Sequence, residues 1–145
     1  MHYNVRVETT VKADAAMVWR VWSDFDRFTE WDPREEESKL DGPFTAGTQG
    51  WSKQRGYGRN RVTLTAIDEG KHWEATTPLP GGSLVIDHAL MDLGDGRVLL
   101  TKNYTATGPL AIVFRLYYAG RIRREVQPSF EALAAEANRL AESSS

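Results

Sequence analysis

The chain reads as an α+β domain in which a curved antiparallel sheet of about seven strands wraps around a long C-terminal helix, with two short helices after the first strand. Three observations predict this. Apolar and polar residues alternate in run after run from Tyr3 to Thr107. One brief stretch of helical spacing directly follows the first of these runs. The remainder, Leu110 to Glu142, carries strong helix formers with apolar residues at helical intervals.

The first strand runs from Tyr3 to Val11, with Val5, Val7, Thr9 and Val11 on one side and Arg6, Glu8, Thr10 and Lys12 on the other. Asp14 is placed to cap a helix whose stripe is Met17, Val18, Val21 and Trp22. Phe25 and Phe28 suggest a second helical turn, which Pro33 ends because the residue before a proline disfavours the helical conformation. Short strands are expected near Glu37–Leu40 and Thr48–Gln54, separated by Asp41-Gly42-Pro43. Arg59–Ile67 and His72–Thr77 form a hairpin across Asp68-Glu69-Gly70-Lys71. Ser83–Leu93 and Arg97–Thr107 form another across Gly94-Asp95-Gly96. After Gly108-Pro109, with proline expected at the first helical position, the stripe Ile122, Val126, Phe130, Leu133, Ala137 and Leu140 predicts one buried helix face. Pro128 is expected to kink or split this helix one turn earlier, and the tail Ser143-Ser144-Ser145 to fray.

Composition bounds the function. The 145 residues fit one domain spanning 1–145, with 41% apolar and 26% charged residues. A formal net charge of -2 gives no overall electrostatic reason to expect nucleic acid or an anionic membrane. The one basic cluster, Arg121, Arg123 and Arg124, reads as a solvated helix face. Without cysteine there is no disulfide, thiol nucleophile or thiolate metal site. The three histidines, His2, His72 and His88, are far apart and lack metal-ligand spacing, so no metal and no cofactor is expected. Gly56-Tyr57-Gly58 reads as a flexible turn because no helix follows it. Asp32 and the Glu35-Glu36-Glu37 run offer carboxylates, but acids following a proline read as solvated. The opening residues lack the apolar core of a secretory signal, and no apolar run approaches the ~18 residues of a membrane span. A cytoplasmic protein without integral membrane association is expected.

Three local features carry a family resemblance: the helix start Ala13-Asp14-Ala15-Ala16-Met17-Val18-Trp19, then Trp31-Asp32-Pro33, then Gly108-Pro109-Leu110-Ala111. Their order and spacing resemble the polyketide cyclase/dehydratase and lipid-transport group of the START-like (SRPBCC) superfamily, over nearly the whole chain from Tyr3 to Glu142. The resemblance implies the helix-grip fold and a cavity for an apolar ligand. The superfamily includes lipid carriers, cyclases, aromatases and ligand sensors, so the fold alone does not assign an activity.

Pairing geometry selects the residues that face such a cavity. With Leu93 opposite Arg97, Leu90 faces Leu100, His88 faces Lys102, Ile86 faces Tyr104 and Leu84 faces Ala106. On the preceding hairpin, Ala66 is set opposite Trp73 and Leu64 opposite Ala75, so Val62, Leu64, Ala66, Trp73 and Ala75 also point inward. His88, Lys102 and Tyr104 are then polar groups on an apolar surface. An unpaired ammonium there requires an acid, a water or a ligand, or a lowered pKa. Alternatives stay open: Lys102 snorkelling to the rim, and His88 as a satisfied core histidine. Of the two tryptophans on the short helix after Asp14, Trp19 and Trp22, the second is expected to be the buried one. Trp31 and Trp51 are expected near the cavity mouth, Phe114 and Tyr117 on a wall or lid, and Val126 and Phe130 on the facing helix.

The function expected is binding or transport of a small hydrophobic molecule such as a lipid, polyketide or aromatic metabolite. The alternative is a cyclase, aromatase or dehydratase in which His88 is general base and Tyr104 or Lys102 polarises a carbonyl or stabilises an enolate. A third reading is a ligand-responsive interaction module whose Arg121, Arg123 and Arg124 face a partner.

Overall fold

A computed structural model describes residues 2–143. Among them seven strands form one antiparallel sheet in the order β1-β7-β6-β5-β4-β3-β2. They are β1 His2–Lys12, β2 Glu35–Leu40, β3 Gln49–Gln54, β4 Arg59–Asp68, β5 His72–Leu79, β6 Gly82–Asp92 and β7 Arg97–Thr107. From β2 to β7 the chain is a meander, and β1 closes it by pairing along the whole of β7. Helix α1 (Ala15–Trp22), a 3-10 turn (Phe25–Arg27) and helix α2 (Phe28–Trp31) lead from one sheet edge to the other. Helix α3 (Ala111–Val113), a π turn (Phe114–Tyr118) and helix α4 (Ala119–Ser143) follow without interruption.

The local causes are those expected from the residues. Asp14 caps α1, its side chain accepting a hydrogen bond from the Met17 N–H at 3.1 Å. Trp22 is buried while Trp19 is half-buried against Phe44. The β6–β7 hairpin turns through Gly94 and Gly96, whose φ angles of 86° and 79° are conformations that favour glycine. Its register is the one expected, with His88 opposite Lys102 and Ile86 opposite Tyr104.

The structure differs from expectation at four places. The β4–β5 register keeps Leu64 opposite Ala75, but a bulge between Leu64 and Ala66 sets Ala66 opposite Glu74 and Ile67 opposite Trp73. Ile67, not Ala66, therefore packs against the core. Pro109 lies in a turn before the helix, whose N-cap is Leu110. Helix α4 is not split near Pro128 but runs through it, and the departure from α-geometry lies earlier, at the π turn. Ser143 closes α4, and the rest of the serine tail lies outside the described residues.

Inside the grip, one end is filled by aromatic packing. Trp73 receives Trp22, Phe25, Phe28 and Phe44 at centroid distances of 6.4, 6.2, 6.1 and 5.5 Å. Leu64 and Leu100 are fully buried in the same core, with Leu90 nearly so. Phe130 and Leu133 bring α4 onto this cluster. The other end is left open, and the candidate site lies between the two.

Candidate functional site

Two adjoining chambers occupy the space between sheet and C-terminal helix. The larger, about 380 Å³, is walled by Leu84, Ile86 and Tyr104 from the sheet and by Phe114, Ile122 and Val126 from the helix. Gly58, Asn60, Leu110, Val113 and Tyr118 line it and also reach solvent, so its mouth lies between the β3–β4 loop and the start of the helix. The smaller, about 70 Å³, is bounded by Trp31, Asp32, Glu35, Trp73, His88 and Phe130 among others. Ser52, Gln54, Val62, Ile86, Lys102 and Ser129 border both, so the boundary is a polar belt built around Lys102.

Lys102 enters this belt because the β6–β7 turn sets its inward parity on a strand flanked by β1 and β6. Two acids face it. Asp32 is held by the turn that Pro33 makes, its Oδ1 accepting from the Arg34 N–H at 2.9 Å and from Ser129 Oγ on α4 at 2.8 Å. Glu35 accepts from Ser52 Oγ at 2.7 Å and Gln54 Nε2 at 3.5 Å. Both carboxyls are buried, against the expectation of a solvated acid run. The cause is a second bulge. Leu40 and Ser38 share the inward face opposite Gly50 and Ser52, and uniform alternation would bring Glu36 in next. The bulge between Glu35 and Glu37 turns Glu35 inward and leaves Glu36 outside, paired with Lys53 at 2.7 Å.

Charge in the belt is balanced rather than neutralised by direct contact. The Lys102 ammonium forms no hydrogen bond or ion pair within 4.0 Å among the described residues, and the Tyr104 hydroxyl is likewise unpartnered. Burial pulls the Lys102 pKa down, but Tyr104, Asp32 and Glu35 outweigh it and raise the value, so of the outcomes open to a buried ammonium the lowered pKa is not the one found. Burial raises Tyr104 more than Lys102 lowers it. Burial, with Asp32 nearby, pushes Glu35 up to about 7 against the bonds from Ser52 and Gln54 and the charge of Lys102. His88 is pressed flat on Trp73 at 3.6 Å, with Trp22 edge-on at 5.6 Å. Its Nδ1 lies 3.2 Å from the Trp73 carbonyl, which only accepts, so that nitrogen carries the proton. Burial and Lys102 hold the His88 pKa well below the ordinary histidine value.

The residues expected to face a ligand divide accordingly. Lys102, Tyr104, Ile86, Phe114 and Val126 line the larger chamber, and Trp31, Trp73, His88 and Phe130 the smaller. Leu64, Leu90 and Leu100 border neither and belong to the packed core. Trp51 is on the opposite face of the sheet, between the guanidinium groups of Arg59 and Arg61 at 4.6 and 4.5 Å, because Gly50, Ser52 and Gln54 take the inward parity of β3. Tyr117 is 72% exposed and points away from the chamber. Asp32, Glu35 and Ser129 are the site residues that sequence reasoning missed. For Asp32 a signal existed in Trp31-Asp32-Pro33, a turn able to bury its own acid. No group of side chains suited to a metal ion occurs among the described residues.

A profile of the family described as polyketide cyclase/dehydrase and lipid transport matches residues 2–138. The chain belongs to this family. No curated protein sequence matches. Among solved structures, norcoclaurine synthase from Thalictrum flavum superposes with a TM-score of 0.75 at 13% identity, covering 97% of each chain. The Zhui aromatase/cyclase from Streptomyces sp. R1128 gives 0.75 at 16% identity, covering 96% of this chain and 95% of that one. A hypothetical protein from Helicobacter pylori gives 0.77 at 13% identity, over 93% and 88%. At these identities the superpositions establish the helix-grip fold, and family membership supports ligand binding or cyclase-type activity.

Proposed function

We propose that the protein binds a small, largely apolar molecule in the chamber of about 380 Å³ between the sheet and the C-terminal helix, with an acceptor oxygen of that molecule held by Lys102 and Tyr104. The observation that carries this reading is the pair of unpartnered donors. Lys102 and Tyr104 are only 9% and 6% exposed, line a largely apolar chamber and have no acceptor among the described residues. Neither donor atom is among the fully buried unpaired ones, so both remain open to the chamber, where a carbonyl, carboxylate or phenolate oxygen would bond both. The apolar remainder of the ligand would lie along Ile86, Phe114 and Val126.

Titration with 2-naphthoate and with naphthalene tests this, read by quenching of tryptophan fluorescence. The carboxylate probe is expected to bind the native protein more tightly, and Lys102→Met to weaken it by about 10- to 100-fold, the worth of a charged hydrogen bond. Naphthalene binding should change little. Equal affinities for the two probes in both proteins would refute the anchoring role.

A second reading, cyclase or dehydrase chemistry, is favoured by one further observation: the Glu35 carboxyl, its pKa near 7, shares the polar belt with Lys102. An acid that is half-protonated near neutral pH is suited to move a proton, while the ammonium stabilises an enolate oxygen. His88, stacked and weakly basic, is the poorer base. Incubation with an aromatic β-hydroxyketone, followed by its loss of water, should show a rate dependent on a group titrating near 7 and abolished in Glu35→Gln. An unchanged pH profile in that variant would remove Glu35 from the chemistry.

A further inference from the structure

Six of the eight large apolar side chains that are exposed among the described residues lie between Leu110 and Tyr118, and the other two, Met91 and Leu93, sit by the β6–β7 turn. Ile112, Leu116 and Tyr117 are 46%, 67% and 72% exposed on consecutive turns of one helix. A patch of this kind on one element, beside a cavity mouth, requires an apolar surface to cover it. The same rim is basic. Its two segments, Arg55–Arg59 and Leu110–Arg124, contain six arginines, although the chain as a whole has a net charge of -2; Arg59 pairs with Glu37 and Arg121 with the adjoining Glu125, which leaves Arg55, Arg115, Arg123 and Arg124 without an ion pair among the described residues. They meet in space: Arg121 lies over the Tyr57 ring at 4.5 Å, and the Tyr57 and Tyr118 rings are 5.7 Å apart. Arg115 and Arg124 are exposed and form no ion pair among the described residues.

These features discriminate among partners. A second copy of the chain would cover the apolar residues but set its own arginines against these, since a two-fold interface pairs a patch with itself. A nucleic acid would meet the arginines but offers phosphates, not an apolar phase, to Ile112 and Leu116. A bilayer with anionic headgroups satisfies both halves: aliphatic and tyrosyl side chains at the acyl boundary, and guanidinium groups at the phosphates.

We propose that the Leu110–Arg124 rim docks on an anionic bilayer surface, with Ile112, Leu116 and Tyr117 entering the interface and Arg115 and Arg124 on the headgroups. Leu110, Val113, Phe114 and Tyr118 belong to the same segment and line the larger chamber, so docking sets the cavity mouth against the lipid.

Co-sedimentation with vesicles tests the docking without any cavity ligand, so its outcome is separable from that of the naphthoate titration. The native protein should bind vesicles of phosphatidylcholine with roughly 30% phosphatidylglycerol at least about tenfold better than pure phosphatidylcholine at about 50 mM salt, and lose most of that binding at about 500 mM. Leu116→Asp with Tyr117→Asp should abolish binding, and Arg115→Gln with Arg124→Gln should remove the preference for the anionic lipid. Met91→Asp, an exposed apolar residue away from the rim, should leave binding intact. The milder Leu116→Ser provides the same comparison if the double aspartate variant melts early. No binding at low salt, equal binding to both lipids, or binding that survives the rim substitutions would overturn the proposal. So would a dimer in sedimentation velocity that Leu116→Ser disperses.

Discussion

Glu35 is the residue on which the polar belt turns, because its carboxyl is buried there beside Asp32 and Lys102. Its pKa rises from an ordinary carboxylate value to about 7 on folding, so the native state holds a proton that the unfolded chain releases at lower pH. The associated stability is fully present below about pH 4.5 and is lost as pH rises through about 7; by the usual conversion it amounts to at most about 3 kcal/mol. Urea denaturation of native protein across that interval should show stability falling with pH, and Glu35→Gln should flatten the slope. A slope of equal size in the variant would assign the effect to another group. Lys102 sets the complementary charge: in Lys102→Met the Glu35 carboxyl loses a stabilising cation, and its titration should move further upward.

At the scale of elements, two bulges decide what the strands present. The β6–β7 hairpin was legible in the sequence because a Gly-Asp-Gly turn joins two long alternating runs, which leaves one register that buries the apolar side. Lys102, Tyr104 and His88 followed from that register. Glu35 and Ile67 did not, because a bulge inverts parity without any residue type that marks it: Glu36 is an acid among acids, and Thr65 an ordinary strand residue. The segment 110–118 hid its π turn because almost every position is apolar, so no stripe reveals the phase. Trp51 was expected near the cavity mouth because the early strands meet it in this fold, but the parity of β3 turns its side chain outward, where two arginines cover it. Two substitutions probe these elements. A Cβ at Gly50 would collide with the Lys39 carbonyl of β2, so Gly50→Ala should part the β2–β3 pair and cost about 1–3 kcal/mol in urea denaturation, with Glu35 more exposed and its titration back towards the ordinary range. Pro128 is exposed within a continuous helix, so Pro128→Ala restores a backbone donor and should stabilise by about 1–3 kcal/mol. A loss instead would mean that proline sets the position of Ser129 against Asp32.

For the whole molecule, the interior is asymmetric: aromatic packing around Trp73 at one end, an open chamber at the other, and a charged belt between. A ligand filling the chamber binds the native state alone, so it should raise the melting temperature progressively with its concentration, measurable by differential scanning calorimetry. The belt limits how deep such a molecule travels, since passing it would strip Lys102, Glu35 and Asp32 of their surroundings. The π turn matters here as well. A single extra residue accommodated in Phe114–Tyr118 offsets the angular phase of the helix before it from that of α4 by roughly 100°. That offset lets Phe114 face the chamber while Ile122 and Val126 face it too. Deleting one residue from the turn would act like slipping a gear by one tooth: the segment before it would rotate by roughly 100° and carry Phe114 off the chamber wall, although the composition of the helix would hardly change.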